Sequence, residues 1–436
     1  MSVKKSSPLL STLWLASEKL CAMALVLLTT LILARHMGPD VFGQLNYLIA
    51  IVTLISPFAA MGLNAIVTRE LVLKPEDNDK ILASALGLRL AGAALASLLV
   101  FIATPWFVSV ELRLAFSLLL VANICSAFLL FDYWLQAHVA NSYAVKARLS
   151  VLLLLTVSRL LAAYFDAPLS FFIVLAALEI ALTGLAFLLV YTLKGGGLIK
   201  LRFCAATAKS LLSQSWWLML SGLAAIVYLK IDQVMLGQLS SHQQVGIYAV
   251  ASRLSEVWYF FPVALVSSFF PKLLNSKKAN PEQYQQQLQQ LNDGLFAIAV
   301  TIAIAVMLIG EPIVILLFGE SYQASALVLS IHIWAGVFIF MRALLSKWLL
   351  AENLLRFSFV TQVAGALLNI VANYLLIPEY GAVGAAIATV LSYAVASYIA
   401  LFMHPKTWPM AKMMSYSFLL PLRIVAKGKS LYQKSE

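Results

Sequence analysis

The chain has 436 residues, 62% of them hydrophobic and 11% charged, with a formal net charge of +11 and a mean hydropathy of +0.91. Soluble domains carry roughly 25% charged residues, so this composition excludes an ordinary water-soluble enzyme and implies a polytopic membrane protein. The basic excess is read as a marker of cytoplasmic connectors rather than of nucleic-acid binding.

A bilayer asks for about 20 apolar residues per helix, and twelve such runs succeed one another along the chain. They lie at about 13–34, 43–67, 81–104, 114–135, 146–165, 169–193, 211–233, 246–269, 291–310, 324–346, 357–377 and 382–403. All are expected to be helices, because backbone polar groups in lipid must be satisfied within their own segment. The first run lacks a small-residue cleavage site and is long enough to span, so it reads as a span rather than a signal peptide. Trp14, Trp106, Trp134, Trp216, Trp217, Trp348 and Trp408 fall near run ends, where indole rings prefer the interface.

Orientation follows from lysine and arginine. Lys4 and Lys5 precede the first run. Arg69, Lys74 and Lys80 follow the second, and Lys146 and Arg148 the fourth. Lys194, Lys200, Arg202 and Lys209 follow the sixth, Lys272, Lys277 and Lys278 the eighth, and Lys347 and Arg356 the tenth. Lys406, Lys412, Arg423, Lys427, Lys429 and Lys434 stand in the tail. The connectors on the other side hold only Arg35, Arg113 and, at a run end, Lys230. The bias places both termini in the cytoplasm, as an even number of spans requires.

The stretch "LKGGGLIK" (Leu193 to Lys200) offers a flexible joint between two halves of six runs: residues 1–194, a linker at 195–210, and residues 211–403, followed by a basic tail at 404–436. The first hairpins of the halves are alike. "RHMGPDVFGQLNY" (Arg35 to Tyr47) and "LGQLSSHQQVGIYAV" (Leu236 to Val250) each place glycines around a short outside turn and a tyrosine early in the next run. Repeated halves are a frequent build of secondary transporters, with the site at their interface.

Catalytic equipment is missing. The connectors are short, and the longest, "PKLLNSKKANPEQYQQQLQQ" (Pro271 to Gln290), reads as a polar, solvated, cytoplasmic segment. No phosphate-binding glycine loop is followed by Lys-Ser/Thr. His36, His138, His242, His332 and His404 are scattered, and Cys21, Cys125 and Cys204 lack metal-ligand spacing, so no cofactor is expected.

Ionisable residues within the runs are costly and usually face a protein interior or a water-filled cavity. The cations are Lys19, Arg89, Arg159, Lys230, Arg253 and Arg342; the acids are Glu18, Asp132, Glu179, Asp232 and Glu256. At about 1.5 Å per residue, Lys19, Arg89 and Arg342 fall in the cytoplasmic leaflet and Arg159, Lys230 and Arg253 in the outer one. A cationic lining reaching both leaflets suits an anionic cargo. Lys230 and Asp232 are two apart and cannot pair with each other. The simplest arrangement sets Asp232 against Arg253 on the next run, where Glu256 shares Arg253's face. The competing reading is structural, with these charges joining helices and Lys230 reaching the interface.

"IDQVMLGQLSSHQQVGIYAVASRLSEVWYFFPVALVSSFFPKL" (Ile231 to Leu273) resembles the corresponding segment of bacterial polysaccharide flippases of the O-antigen, or Wzx, type. These belong to the multidrug/oligosaccharidyl-lipid/polysaccharide flippase superfamily. "LARHMGPDVFGQLNY", "LFGESYQASALVL" and "LIPEYGAVGAAIATVLSY" resemble that family's first outside turn and its later segments. The resemblance implies an all-α fold of twelve helices in two six-helix lobes around a central cavity, alternating access, and undecaprenyl-diphosphate-linked glycan as cargo. It carries a role over to Asp232, Arg253 and Glu256. It also implies a bacterial inner-membrane location, membrane lipids as partners, other polysaccharide-assembly proteins as further ones, and no nucleic acid. Twelve runs disfavour the fourteen-span lipid II branch. A cation-coupled multidrug exporter of the same superfamily is the first alternative, and a membrane enzyme of glycan assembly the second.

Overall fold

The computed structural model describes residues 8–194, 196–197 and 201–423. Lys4, Lys5, Lys200, Lys427, Lys429 and Lys434, named above for orientation, lie outside the described residues, as does Gly195 of the joint. The described chain forms helices and no strand. In order they are α1 (Pro8–Ala60), α2 (Asn64–Leu73), α3 (Asn78–Ala103), α4 (Val110–Cys125), α5 (Leu130–Ala137), α6 (Asn141–Tyr164), α7 (Leu169–Leu193), α8 (Ala205–Leu239), α9 (His242–Glu256), α10 (Phe260–Ala279), α11 (Pro281–Phe318), α12 (Gln323–His332), α13 (Ala335–Ala351), α14 (Leu355–Ser397) and α15 (Trp408–Phe418).

Two of these hold two crossings each. α1 has 53 residues and α14 has 43, about 80 and 65 Å at the helical rise, against a hydrocarbon core of about 30 Å. Each breaks at a glycine with positive φ: Gly38 at 71° in α1 and Gly381 at 53° in α14. Residues with a Cβ seldom take that conformation. Each helix therefore supplies two spans. Among the described residues nine segments are long and apolar enough to cross a membrane, and a tenth is formed by a pair bent by 42°, Glu320–His332 with Ala335–Ala351. With the two glycine breaks, this yields the twelve spans expected from the apolar runs.

The structure differs from uniform helices in several runs. The fourth passes through a 3-10 turn at Ser126–Leu129 between α4 and α5. The eighth does so at Val257–Tyr259 between α9 and α10, and the tenth bends between α12 and α13. The second run also ends early, because Met61 and Gly62 both take positive φ and α2 starts afresh at Asn64.

The chain divides into two compact units, Met1–Gly246 and Ile247–Glu436. In the first, α1 packs on α3, α6 and α8, and α4 packs on α7. Its core gathers Leu63, Val67, Leu82, Phe131, Phe187 and Tyr191, each nearly inaccessible. In the second, α13 packs on α10, α11 and α14, and α15 on α11, around Leu295, Phe340, Leu345, Leu349 and Met414. The compact boundary thus falls later than the 195–210 joint, because α8 packs against α1, α2 and α3. The six-plus-six repeat boundary at that joint remains our proposal.

The two similar hairpins meet inside the first unit. A Cβ on Gly43 would overlap the carbonyl oxygen of His242, and one on Gly246 that of Pro39. Here glycine is required by close backbone approach. Gln238 donates to the Tyr47 hydroxyl, the Tyr47 ring lies 5.2 Å from that of His242, and Gly237 leaves the space that Tyr47 fills.

Candidate functional site

The first unit carries a buried charge cluster shared by α1, α5 and α6. Glu18 is 6% and Asp132 9% exposed, and a single guanidinium serves both. Arg148 donates through one terminal nitrogen to Glu18 Oε1 and through the other to Asp132 Oδ2 at 2.7 Å. Gln136, one turn after Asp132, donates to the same oxygen at 3.0 Å, and the guanidinium stands 5.2 Å over the Phe187 ring. Three helices are tied by one fork, a geometry that arginine supplies and lysine does not. Arg148 was read from sequence only as a connector cation; its two buried partners appear in the tertiary structure. Lys19, next to Glu18, is exposed.

Arg89 on α3 is buried, 2% exposed. It donates to the Ser126 carbonyl at 3.0 Å and to the Tyr133 hydroxyl at 3.4 Å, and lies 5.6 Å over the Tyr133 ring. The 3-10 turn at Ser126–Leu129 is what presents that carbonyl: it interrupts the helical hydrogen-bond ladder between α4 and α5.

Ser126 also borders an open-sided cavity of about 390 Å³ lined by α1, α4, α6 and α7. Its polar wall is Thr53, Ser56, Asn123, Ser126, Thr183, Arg159 and Glu179, and its apolar wall includes Ile49, Val52, Leu119 and Ile180. Arg159 donates to Glu179 across it, from α6 to α7. Sequence reading singled out both residues, and the structure joins them. It places Asn123, 2% exposed, beside them with its amide on Ser97 Oγ at 3.2 Å. Asn123 went unnoticed in the sequence, where the only signal was an amide inside an apolar run.

Lys230 on α8 is half-buried, and Asp232 is 1% exposed. Asp232 belongs to the first unit, whereas Arg253 and Glu256, both half-buried, belong to the second. Arg342 on α13 is held by neutral oxygens. It donates to Ala396 O at 2.6 Å, Thr361 Oγ1 at 3.1 Å and Ser358 O at 3.3 Å. The second unit also buries amides and hydroxyls that sequence reading missed: Asn373 donates to Asn369 at 3.2 Å, and the Tyr248 and Thr389 hydroxyls meet at 3.1 Å. Among the described residues no group of His, Cys, Asp and Glu could hold a metal ion.

Fold and charges together define a class: a polytopic, all-helical membrane protein of two compact units, with ion pairs inside its spans. More particularly, the chain belongs to the polysaccharide biosynthesis protein family, whose model matches residues 9–274. The MatE family model matches residues 218–375. Among solved structures, an inward-facing multidrug resistance MATE family transporter of the MOP superfamily is similar over 90% of this chain and 95% of its own, with TM-score 0.71 and 16% identity. The lipid II flippase MurJ in its inward closed conformation is similar over 95% of this chain and 93% of its own, with TM-score 0.67 and 15% identity. These identities establish a shared fold. Two curated proteins of Haloferax volcanii are similar in sequence. "Probable low-salt glycan biosynthesis flippase Agl15" is 25% identical over 189 residues, 43% of this chain and 40% of its own. "Probable flippase AglR" is 30% identical over 207 residues, 46% of this chain and 43% of its own. The chain thus spans about two-fifths of the length of the curated relatives it matches.

Proposed function

We propose that this protein is a flippase, not an enzyme. It moves an undecaprenyl-diphosphate-linked oligosaccharide, the repeat unit of an O-antigen or related surface polysaccharide, from the cytoplasmic to the periplasmic leaflet of the bacterial inner membrane by alternating access. Both termini are cytoplasmic. The observation that carries the reading is the family match over residues 9–274. The flippase names of the two Haloferax proteins and the intramembrane arginines support it.

In this reading Arg253, Arg89, Lys19, Arg159, Lys230 and Arg342 serve the diphosphate in turn. Asp232, Glu256, Glu18 and Glu179 hold or release those cations. A carboxylate stands beside a guanidinium in the Arg159–Glu179 and Arg148–Glu18 pairs, which supports a holding role for such acids. The inside-negative potential helps: about 2.3 kcal/mol per charge per 100 mV, so roughly 4–5 kcal/mol for two uncompensated negative charges moving outward.

A multidrug exporter is the second reading, favoured by the MatE match. Deletion of the gene separates them. A flippase deletion should accumulate lipid-linked repeat units on the cytoplasmic side and lose surface polysaccharide, and restored expression should reverse both. Normal polysaccharide with raised drug sensitivity would overturn the proposal in favour of export, and loss of the lipid-linked unit itself would favour an assembly enzyme.

A further inference from the structure

α15 is too short to cross a membrane. Its 11 residues make about 16 Å, and it starts five residues after Met403, where the last apolar segment ends. It is fastened to α11. Met410, Ala411 and Met414 are inaccessible and share a core with Leu295, Phe296 and Ala299. Ser417 donates to Asp293 at 2.6 Å and accepts from Asn292 at 2.9 Å. Arg423 reaches the same carboxylate at 3.0 Å and lies 3.6 Å over the Tyr416 ring.

The attachment sets the height of α15 relative to the bilayer. α11 reads "PEQYQQQLQQ" through Gln290 and is apolar beyond Asp293, so Asn292 and Asp293 mark its entry into the hydrocarbon. A helix bound at that level is held at the membrane boundary. Its other face carries Trp408, Lys412, Tyr416 and Leu419 at spacings of four, four and three, all exposed, which places them in one stripe. Tryptophan, tyrosine, lysine and leucine in one exposed stripe is the composition of an interfacial helix. Among the described residues no carboxylate pairs with Lys412.

We propose that the outward face of α15 seats anionic phospholipid headgroups. Trp408 and Tyr416 sit at headgroup level, Leu419 enters the acyl boundary, and Lys412 contacts the phosphates. The partner is the lipid surface itself, and the inference rests on neither the cargo nor the direction of transport.

The test uses the full chain in nanodiscs, with Cys21, Cys125 and Cys204 replaced by alanine and one environment-sensitive thiol label at Tyr416→Cys. Gln285→Cys, on the exposed polar turns of α11, is the aqueous control. In bilayers containing phosphatidylglycerol, the label at 416 should be quenched by shallow nitroxide lipids and shielded from iodide, and the label at 285 should show the reverse. Lys412→Glu should lower retention of phosphatidylglycerol over phosphatidylcholine about fivefold or more, since each surface lysine is worth about that factor toward an anionic leaflet. Equal iodide access at 416 and 285 would overturn the interfacial placement. Shielding at 416 with no change in phosphatidylglycerol retention on Lys412→Glu would overturn the anionic-headgroup assignment. Lys412→Arg should retain the selectivity, which separates loss of charge from misfolding.

Discussion

Replacing Arg148 by glutamine removes one guanidinium from two buried carboxylates at once. Glu18 and Asp132 are 6% and 9% exposed, and among the described residues Gln136 remains to donate to Asp132. Breaking a fully buried ion pair from one side costs about 3–5 kcal/mol. The Arg148 side chain is 37% exposed, so water screens part of the attraction and about 2–3 kcal/mol is the fairer figure. For a unit of this size, at about 2–4 °C per kcal/mol, the melting temperature of the purified protein should fall by about 5–10 °C. Lysine should recover less than half of that loss, because an ammonium cannot serve both carboxylates in a fork. The triple variant Glu18→Gln, Asp132→Asn, Arg148→Gln should recover most of it, since no unpaired charge remains. A scanning-fluorimetry midpoint for Arg148→Gln within about 2 °C of wild type, or a triple variant less stable than the single, would refute the reasoning.

Glu179→Gln should leave Arg159 without its acid in the first unit's cavity and lower export of lipid-linked glycan, measured as surface polysaccharide at matched membrane abundance. The exchange Arg159→Glu with Glu179→Arg should restore abundance, and full export by it would show that the pair is structural only. Gly246→Val should separate the two similar hairpins, because its side chain would overlap the Pro39 carbonyl. A loss of about 1–3 kcal/mol or more, together with new thiol access to Tyr47→Cys, is the expected outcome, and unchanged access would count against the close crossing. For the proposed partners Asp232 and Arg253, Asp232→Ala and Arg253→Ala should both lose export. The exchange of the two should reach the membrane yet fail to export if Arg253 meets the diphosphate, and a fully active exchange would confine the pair to structure. Asp293→Asn should loosen α15, seen as faster proteolysis after Arg423, and a wild-type digestion rate would argue that the apolar face alone holds the helix.

Twelve spans were legible in the sequence because lipid imposes a one-dimensional constraint. Each crossing needs about 20 apolar residues with an internally satisfied backbone, and that is written in composition along the chain. The glycines flanking the two similar hairpin turns were legible too. Arg89, Arg159 and Glu179 could be singled out because a charge within an apolar run is conspicuous wherever it later packs. Pairing was another matter. Glu18 is 130 residues from Arg148 and Asp132 is 16 residues from it, and only the packing of α1, α5 and α6 brings both carboxylates onto one guanidinium. Arg148 reads as a connector residue because it stands at the edge of an apolar run, whereas α6 begins at Asn141 and carries it about two turns inside the helix. The same holds for α8, which the chain assigns to the second half while its side chains pack on α1, α2 and α3. It holds again for α15, whose Met410, Ala411 and Met414 read as an ordinary tail until α11 supplies the surface that buries them. Span number follows from the solvent around each segment, whereas partners follow from contacts between segments, and those exist only once the chain has folded.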